Sequence, residues 1–598
     1  MRISRLYSNQ PDIFGPIDFL PGLNVVLGEI RLPENHLESV HNLGKTTLSR
    51  IIDFCLCKKR SKEFFLFKHI DRFKEFVFFL EVQILDGSFV TIRRSVENAS
   101  KFSFAKHDSE WQDYTDATST DWDHEEVAFE SAKQILDGLL NLSAIKPWDF
   151  RIPVGYALRT QDDFADVFQL SKYRGKHADW KPYIAHILGF DSKLVKLGFD
   201  LVYEIEKLKE KIATLKLELG NADVNLDQIQ GLIEIKKEEA TSLEESIEQF
   251  DFYLQESSIN TNLVEEIDEE ISKLNLDRYS FSSTRKRIMD SLQAEQIQFK
   301  PDVAQKLFEE AGVVFPGEVV KEFRDLIRFN KEISEERIEY LKLELEQVNK
   351  DLEEVSEKLE ELNHQRQMEL KFLGETESFS KYREMNRKLV EIKNTLSGME
   401  RQRDALLGIR EHGRELKNLN RKREDQIEEL QANIDQCGVS KEGRYTRIRS
   451  KLANLCERFL GHKALINTFL NNEGNIEFHA EYLDADNQPT SEDEGKSYRQ
   501  SLCAAYDLAI TQVLLEDNFL RFVYLDGLLE GMDDRIKLNM IEVLREFSDL
   551  GIQQILTVID SDLPYTEQGE KFSFEDDEVV LILHDEGASG RLFRMDTW

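Results

Sequence analysis

One short motif near the N-terminus has the residue types that bind phosphate: Gly44-Lys45-Thr46-Thr47. It follows a strand-like run, Leu23–Leu27, and opens an apolar stretch with helical character, Leu48–Leu56. In a phosphate loop, backbone N–H groups and a helix N-terminus hold anionic oxygens, while a lysine adds positive charge and a hydroxyl ligates Mg²⁺. The motif therefore predicts such a loop, with Lys45 against the phosphates and Thr46 as a magnesium ligand.

The loop departs from the usual Gly-x-x-x-x-Gly-Lys-Ser/Thr spacing. The last glycine before Gly44 is Gly28, and the interval contains Glu29–His41. We expect these additional residues to form a flap over a bound nucleotide.

A carboxylate suited to the same site ends an apolar strand far along the chain, Phe522-Val523-Tyr524-Leu525-Asp526. An aspartate at the C-terminal end of a buried strand can hold the water shell of Mg²⁺. Asp526 is therefore predicted to complete the phosphate site with Lys45 and Thr46. Taken alone, it is also consistent with a surface residue that ends a strand.

The elements that must position these residues differ along the chain. Residues 1–192 and 438–598 have the mixed patterns of an α/β fold, with strand-like runs such as Gly22–Gly28, Phe76–Leu85 and Phe519–Leu525. Between these two segments the chain is dominated by long helical patterns.

Apolar residues in the middle of the chain recur at spacings of three and four, which is typical of a coiled coil. The two stripes include Ile205, Leu208, Ile212, Leu215 and Leu219, and then Leu341, Leu345, Val348, Leu352, Val355 and Leu359. We predict an ascending arm over 193–299, a small tip or hinge over 300–330 and a descending arm over 331–437. The alternative is two helical regions that pair with separate partners.

An antiparallel pair of arms would bring the two ends of the chain together. The predicted fold is thus an α/β head assembled from an N-terminal half, 1–192, and a C-terminal half, 438–598, with a long antiparallel coiled-coil arm. The tip contains no cysteine, which excludes a zinc hook between two arms.

Composition limits the partners and the compartment. The net charge of −36 excludes nucleic-acid binding through a uniformly basic surface. Local basic runs, Lys58-Lys59-Arg60 and Arg285-Lys286-Arg287, are candidates for DNA contact or are simply solvated. The five cysteines form neither a disulfide framework nor a zinc ribbon, and Cys55 and Cys57 are expected in the core. With no apolar run of membrane length and no apolar leader, the sequence favours the cytoplasm.

The split head, the antiparallel arm and the order of the motifs resemble the SMC and RecN branch of ABC ATPases. Three segments are similar to the small SMC-like subunits of bacterial ABC three-component and Lamassu-type defence systems: Asn42-Leu43-Gly44-Lys45-Thr46, Glu494-Gly495-Lys496-Ser497-Tyr498 and Leu525-Asp526-Gly527. The resemblance implies an ABC-type head with ATP and Mg²⁺ as cofactors, and it places Asn42 among the nucleotide-binding residues.

The resemblance also implies roles for three further loops. Gln161 would be the Q-loop residue, a ligand of Mg²⁺ that links the nucleotide to movement of the head. Glu494–Ser497 would replace the usual Ser-Gly-Gly signature at the start of a helix and face the γ-phosphate held by a second copy. Asp533 would be the D-loop aspartate. Singly, Gln161 also fits a surface glutamine and Glu492–Glu494 a solvated acidic turn.

Two catalytic residues of the hydrolysing relatives are missing from their usual places. Gly527 stands where those relatives carry the glutamate that polarises the attacking water, and Asp560-Ser561 stand where a switch histidine would follow the strand. Glu530 and Asp533 are both candidates to replace the glutamate, and the sequence does not choose between them. We therefore expect slow hydrolysis.

The resemblance implies an SMC-like ATPase that binds ATP between two heads and senses or clamps double-stranded DNA, at ends or unusual structures. It would control an effector nuclease, with a small accessory subunit, in antiphage or antiplasmid defence. A RecN-like DNA-repair ATPase and a structural coiled-coil scaffold with a vestigial nucleotide site are the alternatives. The degenerate catalytic motifs argue against the first, and intact Lys45, Thr46 and Asp526 argue against the second.

Overall fold

The computed structural model describes residues 1–32, 43–219, 225–248, 258–298, 317–372, 377–484, 486–491, 495–566 and 568–596; side chains at 258–263, 293–298, 317–337, 369–372 and 377–379 are not part of that description. The chain divides into two compact units. The split unit contains Met1–Tyr203 and Arg421–Trp598, and the helical unit contains Glu204–Asn420.

The strands belong to the split unit. They are β1 (Arg2–Ser8), β2 (Ile17–Asp18), β3 (Leu23–Glu29), β4 (Val77–Gln83), β5 (Phe89–Ser95), β6 (Lys101–His107), β7 (His124–Ala128), β8 (Ala464–Leu470), β9 (Ile476–Tyr482), β10 (Phe522–Asp526), β11 (Gln553–Ile559) and β12 (Val579–His584).

Helices occur in both units. They are α1 (Lys45–Cys55), α2 (Phe65–Lys68), α3 (Ile70–Phe73), α4 (Phe129–Leu140), α5 (Arg151–Ala157), α6 (His177–Leu188), α7 (Ser192–Leu219), α8 (Leu226–Glu248), α9 (Ser258–Gln298), α10 (Gly317–Phe372), α11 (Glu377–Val439), α12 (Arg444–Leu460), α13 (Lys496–Val513) and α14 (Asp534–Asp549). No helix in the described part of the chain has the length and apolar character needed to cross a membrane.

A parallel sheet with the strand order β10-β11-β3-β12 positions the predicted phosphate site. β10 and β11 are buried along their whole length, as expected for parallel strands that are covered on both faces. The chain runs from the C-terminal end of β3 towards α1, and Asp526 is the last residue of β10. Both features therefore lie at the same edge of the sheet.

A second sheet is antiparallel and has the order β2-β1-β4-β5-β6-β7. Glu81 in β4 is fully buried. Its carboxylate accepts hydrogen bonds from the Ser4 hydroxyl at 2.6 Å and from the backbone N–H groups of Trp111 and Gln112 at 2.8 and 2.9 Å. Because a buried charge is tolerated when it is hydrogen-bonded, Glu81 can anchor the segment 108–123 to this sheet.

Residues 585–596, here called the C-terminal strap, return to the phosphate loop. The N–H of Leu592 donates to the carbonyl of Leu43 at 3.0 Å. The Phe593 ring packs 5.1 Å from the rings of Phe14 and Phe73. Aromatic contacts of this kind each stabilise the folded state by about 0.5–1.5 kcal/mol. They therefore hold the C-terminal strap firmly against the rest of the split unit.

In the helical unit, α9 and α10 pack against each other. Their core includes Ile267, Ile271, Val355 and Leu359, and Arg366 Nε lies 2.8 Å from Asp268 Oδ1. Asp268 is near the start of α9 and Arg366 near the end of α10, so the two helices run antiparallel.

The path of the chain in this unit differs from the single ascending arm expected over 193–299. Arg287 Nη1 lies 3.2 Å from Glu218 Oε1, although the residues are 69 positions apart. A continuous helix of that length would separate them by about 100 Å. The guanidinium of Arg401 also lies 4.5 Å from the centre of the Tyr279 ring. The segment α9 therefore runs back beside α7 and α11.

The expected tip over 300–330 falls in part on residues 300–316, which lie outside the described residues. Residues 317–330 are the first turns of α10, not part of a separate tip. The apolar periodicity of the sequence indicated which face of each helix is buried. It did not indicate which other helix covers that face, because any apolar stripe of the same spacing fits equally well.

Candidate functional site

The phosphate loop ends at a glycine whose conformation and surroundings both require it. Gly44 precedes α1 with φ of 101°, a region that side chains disfavour. A Cβ at this position would lie 2.7 Å from the Cβ of Leu592 in the C-terminal strap. The Tyr524 hydroxyl in β10 donates to the carbonyl of Lys45 at 2.9 Å. These contacts fix the N-terminus of α1 against the parallel sheet.

Lys45 is the first residue of α1, and its side chain is 8% exposed. Its Nζ lies 3.7 Å from Glu530 Oε1, beyond hydrogen-bond distance, and has no hydrogen-bond partner among the described residues. Burial lowers the pKa of Lys45, and the charges of Glu530, Asp526 and Asp562 partly oppose this shift. A buried ammonium without a hydrogen-bond acceptor is suited to an anionic ligand.

Asp526 is fully buried at the end of β10. Its Oδ1 accepts a hydrogen bond from the Thr557 hydroxyl at 2.7 Å. Its Oδ2 is buried and has no partner in the described part of the chain. Because buried polar atoms are nearly always paired, Oδ2 is an acceptor available to a cation or to water around one.

Gln161 and Glu530 meet beside Gly527. The Gln161 side-chain amide donates to Glu530 Oε1 at 2.7 Å. Gly527 has φ of 66°, and a Cβ there would fall against Gln161 Nε2 and within 2.8 Å of Glu530 Oε1. The Glu530 carboxylate thus occupies the space towards which a side chain at position 527 would point. Of the two candidate acids, Glu530 lies beside Lys45.

The predicted signature segment begins a long helix. Gly495 precedes α13, Gly495 and Lys496 are exposed, and Ser497 is half-buried. The Ser497 hydroxyl donates to the carbonyl of Gly531 at 2.9 Å. This bond links the start of α13 to the turn that follows β10. Glu494 lies outside the described residues, as does Asn42.

The remaining predicted residues have less specific surroundings. Thr46 and Thr47 are half-buried in the first turn of α1, and the Thr46 carbonyl accepts a hydrogen bond from the Ser49 hydroxyl at 2.9 Å. Asp533 precedes α14, is exposed and makes no side-chain cap bond to that helix.

Sequence reasoning missed three residues at this site. Thr557 holds Asp526, Leu592 packs on Gly44, and Asp562 is close enough for its charge to act on Lys45. Asp562 belongs to a 3₁₀ turn, Asp560–Asp562, directly after β11, where a switch histidine was sought. Parallel pairing of β10 with β11 places Thr557 opposite Asp526, but a single sequence gives no signal for Leu592.

The residues present fit Mg²⁺ and a nucleotide phosphate. Lys45 offers a buried ammonium and Asp526 a buried oxygen, neither hydrogen-bonded within the described part of the chain, and Thr46 offers a hydroxyl in the first turn of α1. Among the described residues, no group of three His, Cys, Asp or Glu side chains is arranged to hold a metal by itself. A magnesium ion here would therefore depend on ligands from the nucleotide and water, as is usual for this ion.

The basic run after α1 is only partly available for binding. Lys58 Nζ lies 2.5 Å from Asp53 Oδ2, whereas Lys59 and Arg60 are exposed. Cys55 and Cys57 are both buried. Burial raises the pKa of Cys57 to about 12, so this thiol stays protonated and packs as a core residue.

The chain is similar to several known proteins. Residues 455–597 match the family described as "Uncharacterised protein conserved in bacteria (DUF2326)". Among curated proteins, none matches. The solved Smc head domain with a coiled coil and joint from Pyrococcus yayanosii is 14% identical, with a TM-score of 0.35 over 93% of this chain and 92% of that one.

A second solved structure is the Smc head domain with an extended coiled coil from Pyrococcus furiosus, bound to the C-terminal domain of ScpA. It is 12% identical, with a TM-score of 0.31 over 94% of this chain and 90% of that one. TM-scores of this size do not establish a common fold.

Proposed function

We propose that this protein is an SMC-like ATPase that binds Mg²⁺ and ATP at the N-terminus of α1 and hydrolyses ATP slowly. The observation that carries the proposal is a pair of buried atoms of opposite charge, Lys45 Nζ and Asp526 Oδ2, neither of which has a hydrogen-bond partner among the described residues. A buried polar atom without a hydrogen bond destabilises the fold by roughly 1–3 kcal/mol. Such a cost is expected where a ligand supplies the missing partners.

The chain's own residues then have distinct roles. Lys45 neutralises phosphate charge, and the backbone N–H groups at the start of α1 bind phosphate oxygens. Thr46 and Asp526 would hold Mg²⁺, which when bound would neutralise charge on the transferred phosphoryl group. Glu530 accepts a proton from the attacking water, and Gln161 orients the Glu530 carboxylate.

Slow hydrolysis follows from the contacts of Glu530. Its Oε1 accepts a hydrogen bond from Gln161 and faces Lys45 at 3.7 Å. Glu530 must turn away from Lys45 before it can act on water, and this rearrangement adds to the barrier.

Binding measurements test the site directly. Isothermal titration calorimetry should show Mg²⁺-dependent ATP binding by the wild-type chain and none by Lys45→Ala. Lys59→Ala is the matched control, since Lys59 is exposed beyond the same helix, and it should bind normally. Equal ATP affinity in Lys45→Ala and the wild type would contradict the proposal, and a wild-type chain without affinity for ATP would favour a scaffold with a vestigial site.

We also propose that two copies share each nucleotide. Gly495 and Lys496, at the start of α13, are exposed, which suits contact with the nucleotide of a second copy. A cysteine introduced at Ser497 and another near Thr46, with Thr46 itself unchanged, should then give an inter-subunit cross-link that ATP stimulates. A monomer at saturating ATP would exclude a shared site.

The wider role that we propose is DNA sensing or clamping and control of an effector nuclease in defence. It rests on the motif resemblance. Residues 108–126 contain eight acidic residues and no lysine or arginine, so this surface repels DNA, whereas Lys59 and Arg60 are exposed. Charge reversal at Lys59 and Arg60 should weaken DNA binding more than reversal of exposed Lys101.

Co-purification with products of neighbouring genes, followed by a nuclease assay, tests the proposed control of an effector nuclease.

A further inference from the structure

Thr557 lies where two parallel strands place it opposite the candidate metal ligand. β10 and β11 pair in register, with Asp526 opposite Thr557. Thr557 is fully buried. Its hydroxyl is therefore shielded from water, and its hydrogen bonds are determined by the protein alone.

The hydroxyl of Thr557 makes two hydrogen bonds whose directions are fixed. It accepts from the backbone N–H of Gly527 at 2.9 Å. A hydroxyl has one proton, and at Thr557 that proton is donated to Asp526 Oδ1 at 2.7 Å. The Thr557 hydroxyl therefore occupies Oδ1 of Asp526, and Oδ2 is buried without a hydrogen-bond partner among the residues that the structure describes.

The same hydroxyl also holds the turn after β10. Gly527 has φ of 66°, and its carbonyl accepts a hydrogen bond from the N–H of Glu530 at 3.2 Å. This turn brings Glu530 back to Gln161 and Lys45. The Thr557 side chain thus orients both the Asp526 carboxylate and the turn that carries the Glu530 carboxylate.

We propose that Thr557 is a positioning residue for Mg²⁺: it directs Asp526 Oδ2 towards the ion through the hydrogen bond to Oδ1. This inference rests on the proposed nucleotide site and adds a residue that does not itself touch nucleotide. Groups that orient metal ligands commonly change metal affinity by about 10- to 100-fold when they are removed. Thr557→Val keeps the size and β-branching of the side chain and removes only the hydroxyl.

The test measures affinity for a fluorescent ATP analogue, both in EDTA and over a series of Mg²⁺ concentrations. Thr557→Val should need about 10- to 100-fold more Mg²⁺ for half-maximal enhancement of binding. Its affinity in EDTA should equal that of the wild type, because Lys45 and the start of α1 are unchanged. A defect that is merely structural would weaken binding in EDTA as well.

Two further variants make the outcome decisive. Thr557→Ser retains the donor and should respond to Mg²⁺ as the wild type does. Thr511→Val is the matched control, since Thr511 is buried and its hydroxyl donates within α13, to the Asp507 carbonyl at 2.8 Å. If Thr557→Val does not fold by circular dichroism, Thr557→Cys, whose thiol is a weak donor, should show the same requirement for more Mg²⁺.

Wild-type Mg²⁺ dependence in Thr557→Val, or in Thr557→Cys where the valine variant does not fold, would overturn the assignment of Thr557 while leaving the nucleotide site intact. Absence of Mg²⁺-dependent binding in the wild type would instead overturn the nucleotide site, and the role of Thr557 with it. The two failures are therefore distinguishable in one set of titrations.

Discussion

Arg159 and Asp507 form a buried ion pair between residues that are 348 positions apart. Arg159 Nε donates to Asp507 Oδ2 at 2.7 Å, and Nη2 donates to Oδ1 at 3.0 Å. Further guanidinium N–H groups donate to the carbonyls of Asp163, Asp166 and Val167. The pair therefore joins α13, which begins at the predicted signature, to the segment that carries Gln161.

Loss of the carboxylate at position 507 should destabilise the split unit strongly. Asp507→Asn keeps the shape but leaves the Arg159 cation buried without a counter-charge, which typically costs about 3–5 kcal/mol. Chemical denaturation measures the change. Glu546→Gln is the matched control, since the Arg458–Glu546 pair is exposed and its loss should cost about 1 kcal/mol or less. Equal effects of the two variants would show that the buried pair is unimportant.

Glu530→Gln should reduce ATP turnover by about 10²-fold or more, because a general base commonly contributes 10²- to 10⁴-fold. ATP affinity should be retained, since Lys45 then loses a competing carboxylate. Steady-state phosphate release and calorimetry measure the two effects. Asp533→Asn is the control, because Asp533 is exposed at the start of α14. A greater loss in Asp533→Asn would identify Asp533 as the base instead.

Gly527→Ala should abolish turnover, because its Cβ would displace Gln161 and Glu530. Gly531→Ala provides the control for backbone strain: Gly531 has φ of 71°, and a Cβ there meets no atom within 4 Å among the described residues. Both variants should lose about 1–2 kcal/mol of stability from the left-handed conformation. Only Gly527→Ala should lose ATP turnover. Loss of turnover in both variants would show that backbone strain, and not displacement of Gln161 and Glu530, causes the defect.

Asp163 should make stability depend on acid pH. Burial alone would raise its pKa, but hydrogen bonds from Ser171 and Thr160 hold the pKa below its usual range. The folded chain thus binds this proton less tightly than the unfolded chain, so the contribution is present above about pH 4 and is lost as the pH falls.

Asp163→Asn should therefore lower the melting temperature at pH 7, and the difference from the wild type should shrink towards pH 3. Exposed Asp162→Asn should have little effect at either pH. A difference for Asp163→Asn that stays constant with pH would show that its charge is not involved.

The return of α9 beside α7 is testable with a short bismaleimide cross-linker. Cysteines at Glu218 and Arg287 should cross-link within one chain, because these side chains are in contact, whereas a straight arm would hold them about 100 Å apart. Each single variant serves as a control. A product that depends on protein concentration would indicate contact between chains and contradict the folded-back path.

The sequence was most informative where the chemistry is local. The phosphate loop and Asp526 each lie within one short segment, so a strand, a turn and a helix start could be recognised from neighbouring residues. Glu530 could not be separated from Asp533, because the choice depends on the left-handed turn at Gly527. Thr557 and Leu592 act across strands and across the chain, and a single sequence does not show which distant residues become neighbours.

The arrangement of β3 has a consequence for synthesis. This strand pairs with β11 on one side and β12 on the other, and Asn24 contacts a residue made 530 positions later. At 5–20 residues per second, the ribosome needs roughly 25 to 105 s to supply these neighbours. During that time β3 has two open, apolar edges, which favour aggregation. A chaperone that shields the nascent N-terminal segment should therefore raise the yield of folded protein.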